Sequence, residues 1–290
     1  MEGGTTLLTM GNSTHLTHFI LSAYFDTGHL KYLYFVIVLL LYVLMLVSNV
    51  LLIVVICVNR SLHEPMYLFL CSLVLLIVIL TDVHTVSTSL CFLQIFCLYS
   101  YGLLEILTLT VMSYDRYLAI CHPLQYHTRM TRKKIATLIA IPWFYGFLLV
   151  VALILLTSSL QLCGNIIDKV HCGNYSVTRL ACSDTTIYNI SGLIFTFINI
   201  FIPLVLIVYT YMRIFKVCFS GSKQTRHKAV STCTPHLASL INFILGASFE
   251  IVQSRFNMNH VPGVLRIFLS LYFLMCQPLF NPLMYGLNIS

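Results

Sequence analysis

Charge is what this sequence has least of. Only 9% of its 290 residues are Asp, Glu, Lys or Arg, where soluble domains carry about 25%. That shortage rules out reading the length as one or two soluble domains. Acidic residues are the scarcer sign, nine against sixteen basic ones, for a net charge of +7. With 59% hydrophobic residues and a mean hydropathy of +0.91, the chain is neither disordered nor collagen-like. Its positive balance is not the basic face of a nucleic-acid binder. A His-Glu-x-x-His metal spacing is missing, and His122, His127, His227 and His236 sit in or near loops, so an intramembrane enzyme is set aside. No internal repeat is present, and Glu105 stands alone where a transporter would show paired intramembrane charges. The first 29 residues lack the basic start, apolar core and small-residue cleavage site of a removable leader. Eleven cysteines are too few for a disulfide scaffold, and several lie in apolar runs as small hydrophobes.

What the sequence does have is long apolar runs. A helix needs roughly 20 such residues to cross about 30 Å of hydrocarbon. Seven candidates stand out: Leu30–Cys57, Met66–Leu80, Leu90–Met112, Ile135–Thr157, Tyr188–Val217, Ala229–Val252 and Val264–Leu287. The second is short, its rise only about 22 Å at 1.5 Å per residue. It crosses if the helix continues past Thr81, Asp82 and His84 towards Val86, or if the bilayer thins.

Charge placement supports seven. The connections after spans one, three and five hold Arg60, Arg116, Arg129, Arg132, Lys133, Lys134, Arg213, Lys216, Lys223, Arg226 and Lys228, against Glu64 and Asp115 alone. The positive-inside rule places that face in the cytoplasm and the N-terminus outside. Were the second span not crossing, the Arg60 connection and the Arg129–Lys134 connection would fall on opposite faces. The expected fold is therefore an all-α membrane protein, a seven-transmembrane-helix bundle with its C-terminus cytoplasmic and its second helix shortened. It forms one domain over residues 1–290: an outer segment 1–29, the bundle with its loops 30–287, and a short cytoplasmic tail 288–290. Asn12-Ser13-Thr14 and Asn174-Tyr175-Ser176 are glycosylation acceptor sequences on the expected outer face. Asn59-Arg60-Ser61 and Asn288-Ile289-Ser290 match too but face the cytoplasm.

Span three closes with Met112-Ser113-Tyr114-Asp115-Arg116-Tyr117-Leu118-Ala119-Ile120-Cys121. An adjacent Asp and Arg at a membrane edge fit two readings: interfacial anchors, each made cheaper by its partner, or a latch that releases Arg116 to a cytoplasmic partner. Outside the membrane, Cys91 opens span three, and Cys163, Cys172 and Cys182 lie between spans four and five. An oxidising exterior permits disulfides, and four cysteines allow three pairings. A zinc site using His171 competes with that reading.

The surroundings of Asp115-Arg116 resemble the rhodopsin-like seven-helix receptors, and among them the olfactory receptors. Asn49 stands in span one where the family has its Gly-Asn pair, with Ser48 replacing the Gly. Leu62-His63-Glu64-Pro65-Met66-Tyr67-Leu68-Phe69-Leu70 is similar to the family's first cytoplasmic loop, and His122-Pro123-Leu124-Gln125-Tyr126 to its second. Thr210-Tyr211 stands where the family has Ser-Tyr at the end of span five. Lys228-Ala229-Val230-Ser231-Thr232-Cys233-Thr234-Pro235-His236-Leu237 is the most olfactory-specific string, and Pro278-Leu279-Phe280-Asn281-Pro282-Leu283-Met284-Tyr285 matches span seven.

That resemblance implies an odorant-type G-protein-coupled receptor without enzymatic activity or cofactor. It would bind a small, mostly apolar ligand outside and activate a heterotrimeric stimulatory G protein inside, raising cyclic AMP. The location implied is the plasma membrane, multi-pass, in olfactory cilia. Asp115, Arg116, Tyr117, Tyr211, Lys228, His236, Asn281, Pro282 and Tyr285 take the coupling and switch positions. Pro282 and Pro235 each remove a backbone donor and weaken the helix where it would bend. The implied disulfides are Cys91–Cys172 and Cys163–Cys182.

The implied ligand site is the outer half of spans three, five and six. Helical spacing puts Tyr99, Gly102 and Leu103 on one face, joined by Phe195, Thr196 and Asn199 and by Ala247 and Ile251; helix packing is the competing role of each. Glu250 would instead meet a polar or cationic ligand at the mouth. Glu105, at mid-membrane, is read as part of a sodium or polar switch site, or as a protonated carboxyl bonded to a neighbouring helix.

Two features depart from the family. Only 25 residues separate Pro65 from Cys91, fewer than the family carries, and the loss removes the span-two Asp expected to face Glu105. The chain also stops at Ser290 without the basic amphipathic helix that usually follows. A shortened or decayed copy without signalling competence is the alternative expectation, with a membrane transporter behind it.

Overall fold

The computed structural model describes residues 17–22, 30–59, 85–220, 223–256, 261 and 263–272. Span two, with Asp82, lies outside the described residues, as do the span-seven motif with Asn281, Pro282 and Tyr285, the Asn12 acceptor sequence, and the side chains of Asn49 and Lys228.

The helices run beyond the apolar runs that announced them. Span one is Leu30–Asn59, span three Thr88–Cys121, span four Arg132–Ser158, span five Thr186–Ser220 and span six Lys223–Arg255, while span seven begins at Gly263–Leu271. Local chemistry sets several ends. The Ser87 hydroxyl accepts from Leu90 N to cap span three, and the Thr131 hydroxyl accepts from Lys134 N to cap span four, each satisfying a donor the first turn leaves open. Within span five, Pro203 has no N–H to give, and the helix widens into a π turn over Phe197–Phe201 just before it.

Span three is the axis of the bundle, packed against spans four, five and six. Cys91, Ile95, Leu98, Ile106, Leu109 and Leu118 are buried along it at helical intervals. The outer faces are the reverse of a soluble protein's. Phe144, Leu148 and Leu155 on span four and Ile187 and Phe219 on span five stand exposed, a placement favourable only against hydrocarbon. Among the described residues, spans three, four, five and six are each long and apolar enough to cross a bilayer.

A small sheet, which the helical reading omits, covers the end of the bundle near Cys91. Strand β1 (His18–Leu21) lies between β2 (Thr85–Ser87), antiparallel to it, and β3 (Ile166–Ile167), parallel to it. The period of two carries Phe19 and Leu21 inward with Val86 and Ile167. The chain ahead of span one is thereby tied to the connection between spans four and five, and Ser22 Oγ donates to Asp168 Oδ1 at 2.6 Å.

Candidate functional site

Functional side chains gather at the two ends of the bundle. At the first end, two disulfides hold the connection between spans four and five. Cys91 is bonded to Cys172 with Cα atoms 5.4 Å apart, and Cys163 to Cys182 at 5.0 Å. Both pairs are those implied by the resemblance. The Cys172 amide also donates to Gln94 Oε1 at 3.0 Å, so this loop is fastened to span three twice over. Backbone bonds from Cys163 N to Leu180 O and from Cys182 N to Gln161 O close the smaller ring.

Beneath the loop lies a recess of about 40 Å³, room for on the order of three waters. Span three gives it Tyr99, span four Leu153, span six Arg255, and the loop helix Asn174–Thr178 its Asn174, Tyr175 and Thr178. Span five contributes Tyr188, Asn189, Gly192, Phe195 and Thr196. The Arg255 guanidinium sits 4.1 Å from the Tyr175 ring centroid, a cation–π contact. It also passes over Gly192, where an added Cβ would meet its Nη2 at 3.5 Å.

Of the eight expected ligand residues, Tyr99, Phe195 and Thr196 line this recess together. The other five lie elsewhere. Leu103 packs towards span four, its Cδ2 3.7 Å from where a Cβ on Gly146 would stand. Asn199 is buried, accepting from the Tyr145 hydroxyl at 2.8 Å and donating to Phe195 O. Ala247 is buried, Gly102 half-buried and Ile251 exposed. Asn174 is half-buried, its Oδ1 accepting from Thr157 Oγ1 at 2.6 Å, and it lines the recess. Glu105 is half-buried at the middle of span three.

At the opposite end, Arg116 Nε lies 3.6 Å from Asp115 Oδ2. Tyr126 donates from its hydroxyl to Asp115 Oδ1 at 2.7 Å; partial burial and that bond to a carboxylate push its phenol above the ordinary tyrosine value. Tyr117 OH and His122 Nε2 are 3.1 Å apart.

The tightest feature at this end is a chain of three groups. His236 Nε2 lies 2.9 Å from the Leu109 carbonyl, and its Nδ1 lies 2.6 Å from Tyr211 OH. A carbonyl can only accept, so Nε2 carries the proton, Nδ1 accepts, and Tyr211 donates. The imidazole thus joins span six to span three on one side and to span five on the other, with Tyr211 4% and His236 2% exposed.

Sequence reasoning named Tyr211 and His236 as separate motif members and missed their pairing, along with the Leu109 carbonyl. It also missed Tyr126 as the partner of Asp115, although that residue closes the His122–Tyr126 string. His171 and Glu250 were noted apart, yet their side chains meet at 3.4 Å, a pairing across 79 positions of chain that no local signal announces.

Comparison with known proteins agrees with this architecture. A family model described as "Olfactory receptor" matches residues 38–290. The chain is 34% identical to human olfactory receptor 10A6 over 294 residues, covering 96% of this chain and 93% of that protein. It is 33% identical to human olfactory receptor 11A1 over 296 residues, 97% and 93% of the two chains. Similarity to mouse olfactory receptor 4B13 is 32% over 298 residues, 96% and 94%.

Proposed function

This chain belongs to the olfactory receptor family, and on that footing we propose how its two ends work together as an odorant receptor coupled to a G protein. The disulfide-clamped end faces outside and receives a small, mostly apolar odorant. The Asp115–Arg116 end faces the cytoplasm and admits a stimulatory heterotrimeric G protein, whose nucleotide exchange raises cyclic AMP. The receptor works as one domain in the plasma membrane, and in an olfactory neuron that membrane is the ciliary one.

The observation that carries this reading is the Tyr211–His236–Leu109 chain. It ties span six to both neighbours beside Arg116, where a G protein would enter. Displacing span six outward breaks both bonds at once and uncovers that end of span three. Pro235, one residue before His236, lies inside span six and removes a backbone hydrogen bond there, so the tied segment is also the one that bends with least resistance. A ligand settling among Tyr99, Phe195 and Thr196 touches spans three and five, and Arg255 reaches the same recess from span six. Its differential affinity for the two arrangements of span six is what shifts the equilibrium.

The test is a surface-tagged receptor expressed in cells, with a cyclic AMP readout against a broad odorant panel. Wild type is expected to respond to at least one odorant. Arg116→Ala is expected to abolish that response at unchanged surface level; a retained response overturns the coupling role of Arg116.

A further inference from the structure

The disulfide loop and the adjoining end of span six meet through three side-chain contacts. His171 Nε2 lies 3.4 Å from Glu250 Oε1, Lys169 Nζ donates to the Gln253 carbonyl, and the Arg255 guanidinium covers the Tyr175 ring. The loop cannot follow span six if that helix moves. Cys172 is held to span three by the disulfide to Cys91 and by the bond from its amide to Gln94. Any displacement of this end of span six away from span three therefore opens these contacts.

His171 and Glu250 are the pair whose contact depends on a proton near neutral pH. The imidazole is 1% exposed. Its Nδ1 lies 3.2 Å from the Cys172 carbonyl, and since a carbonyl only accepts, Nδ1 carries a proton. In the neutral ring, Nε2 then turns a lone pair towards the Glu250 carboxylate, acceptor against acceptor. A second proton converts the same approach into an ion pair between the buried imidazole and a half-buried carboxylate. Glu250 Oε2 is itself buried and has no hydrogen-bond partner among the described residues, so the carboxylate has no competing donor there to satisfy it in place of His171.

We infer that His171 and Glu250 form a proton-dependent latch between the disulfide-clamped loop and span six, closed when the imidazole is doubly protonated and released when it loses one proton. The other charged and titratable groups around it are Arg255 on span six, Tyr99 on span three, Asp168, Lys169 and Arg179 in the loop, and Arg266 on span seven. Burial works against the imidazolium, and the facing charge of Glu250 together with the Cys172 carbonyl at Nδ1 outweighs it, leaving the pKa of His171 above its ordinary 6.5. The sign follows. The latch contributes fully below pH 6.5 and is lost as pH rises through the higher value of the closed state. Resting on the receptor reading above, external protons act as a second ligand that opposes the odorant, by holding span six where the odorant must move it.

Hydrogen exchange on the purified full-length chain in lipid nanodiscs, between about pH 5 and 8, tests the latch. Protection factors, which already remove the intrinsic pH dependence of exchange, are followed in segments 166–180 and 247–255. In the wild type they are expected to fall several-fold as pH rises, along a one-proton curve with its midpoint above 6.5. His171→Gln and Glu250→Gln are each expected to flatten that curve. A flat wild-type curve overturns the latch, and so does a Glu250→Gln protein that keeps the wild-type titration. Should either variant not fold, the other and the wild-type curve still decide. No odorant or G protein enters this measurement, so a flat curve in a chain that signals to odorants removes the latch and leaves the receptor. A titrating curve in a chain silent to odorants does the opposite.

Discussion

The two ends of this bundle are held by different kinds of bond. At the loop end one disulfide and a three-stranded sheet fasten the connection between spans four and five to span three, and a second disulfide and a ring of backbone hydrogen bonds close that connection on itself. At the Asp115–Arg116 end, among the described residues, side-chain hydrogen bonds join the helices, and the Asp115–Arg116 ion pair lies within span three. Covalent ties do not exchange on the timescale of a conformational change, whereas a hydrogen bond contributes only about 0.5–1.5 kcal/mol net and reforms at once. A receptor needs one end that keeps its shape while a ligand is recognised and another that rearranges. The contrast also explains where span six is free to move: at the loop end it touches the clamped loop through non-covalent contacts, one of them from Lys169 to the Gln253 backbone carbonyl, and at the other end it is tied through His236.

Breaking the covalent side should matter most. Cys172→Ser opens a ring whose ends are 81 residues apart and is expected to remove about 2–5 kcal/mol of stability. Flow cytometry of a surface-tagged chain should show most of the folded receptor gone; wild-type surface level would mean the loop is held by its sheet and backbone bonds alone. Next comes the switchable side. Tyr211→Phe leaves His236 Nδ1 buried without its donor, at about 1–3 kcal/mol, and the thermal midpoint of the detergent-solubilised receptor should drop measurably. An unchanged midpoint would show that Tyr211 does not hold span six. Tyr126→Phe is a milder change, because Asp115 keeps Arg116 and reaches water; the expected loss is under about 1 kcal/mol, read in the same melt. A drop as large as that of Tyr211→Phe would make the second loop a structural tie of equal rank. The smallest effect belongs to Asn174→Gln. With Asn174 turned towards Thr157 and the recess, glycosidase treatment should shift wild type and variant equally on a gel, and a smaller shift for the variant would show that Asn174 carries a glycan.

Much of the fold is legible in single residues and their spacing. Apolar runs locate the helices because the interior of a helix satisfies its own backbone whatever surrounds it. The departures are local and have causes. The helices overrun the apolar runs because hydrocarbon ends before helical hydrogen bonding does, as the Ser87 and Thr131 caps show. The sheet escaped notice because β1, β2 and β3 are four, three and two residues long, too short for alternation to stand out. In the recess, the half-turn around Tyr99 was readable, while Leu103 and Asn199 turn towards span four. Spacing fixes which residues share a face and says nothing about which neighbour that face meets.

Composition alone settles that this chain lives in a bilayer, since 9% charged residues cannot cover a soluble surface. Family motifs settle the receptor class, because their strings are contiguous and read in order. Pairings are another matter. That His236 takes its proton on Nε2 and that His171 meets Glu250 both depend on segments far apart in the chain arriving at one place. Their partners are set by packing angles and helix rotation, quantities that no stretch of sequence encodes by itself, and so they exist only once the bundle has closed.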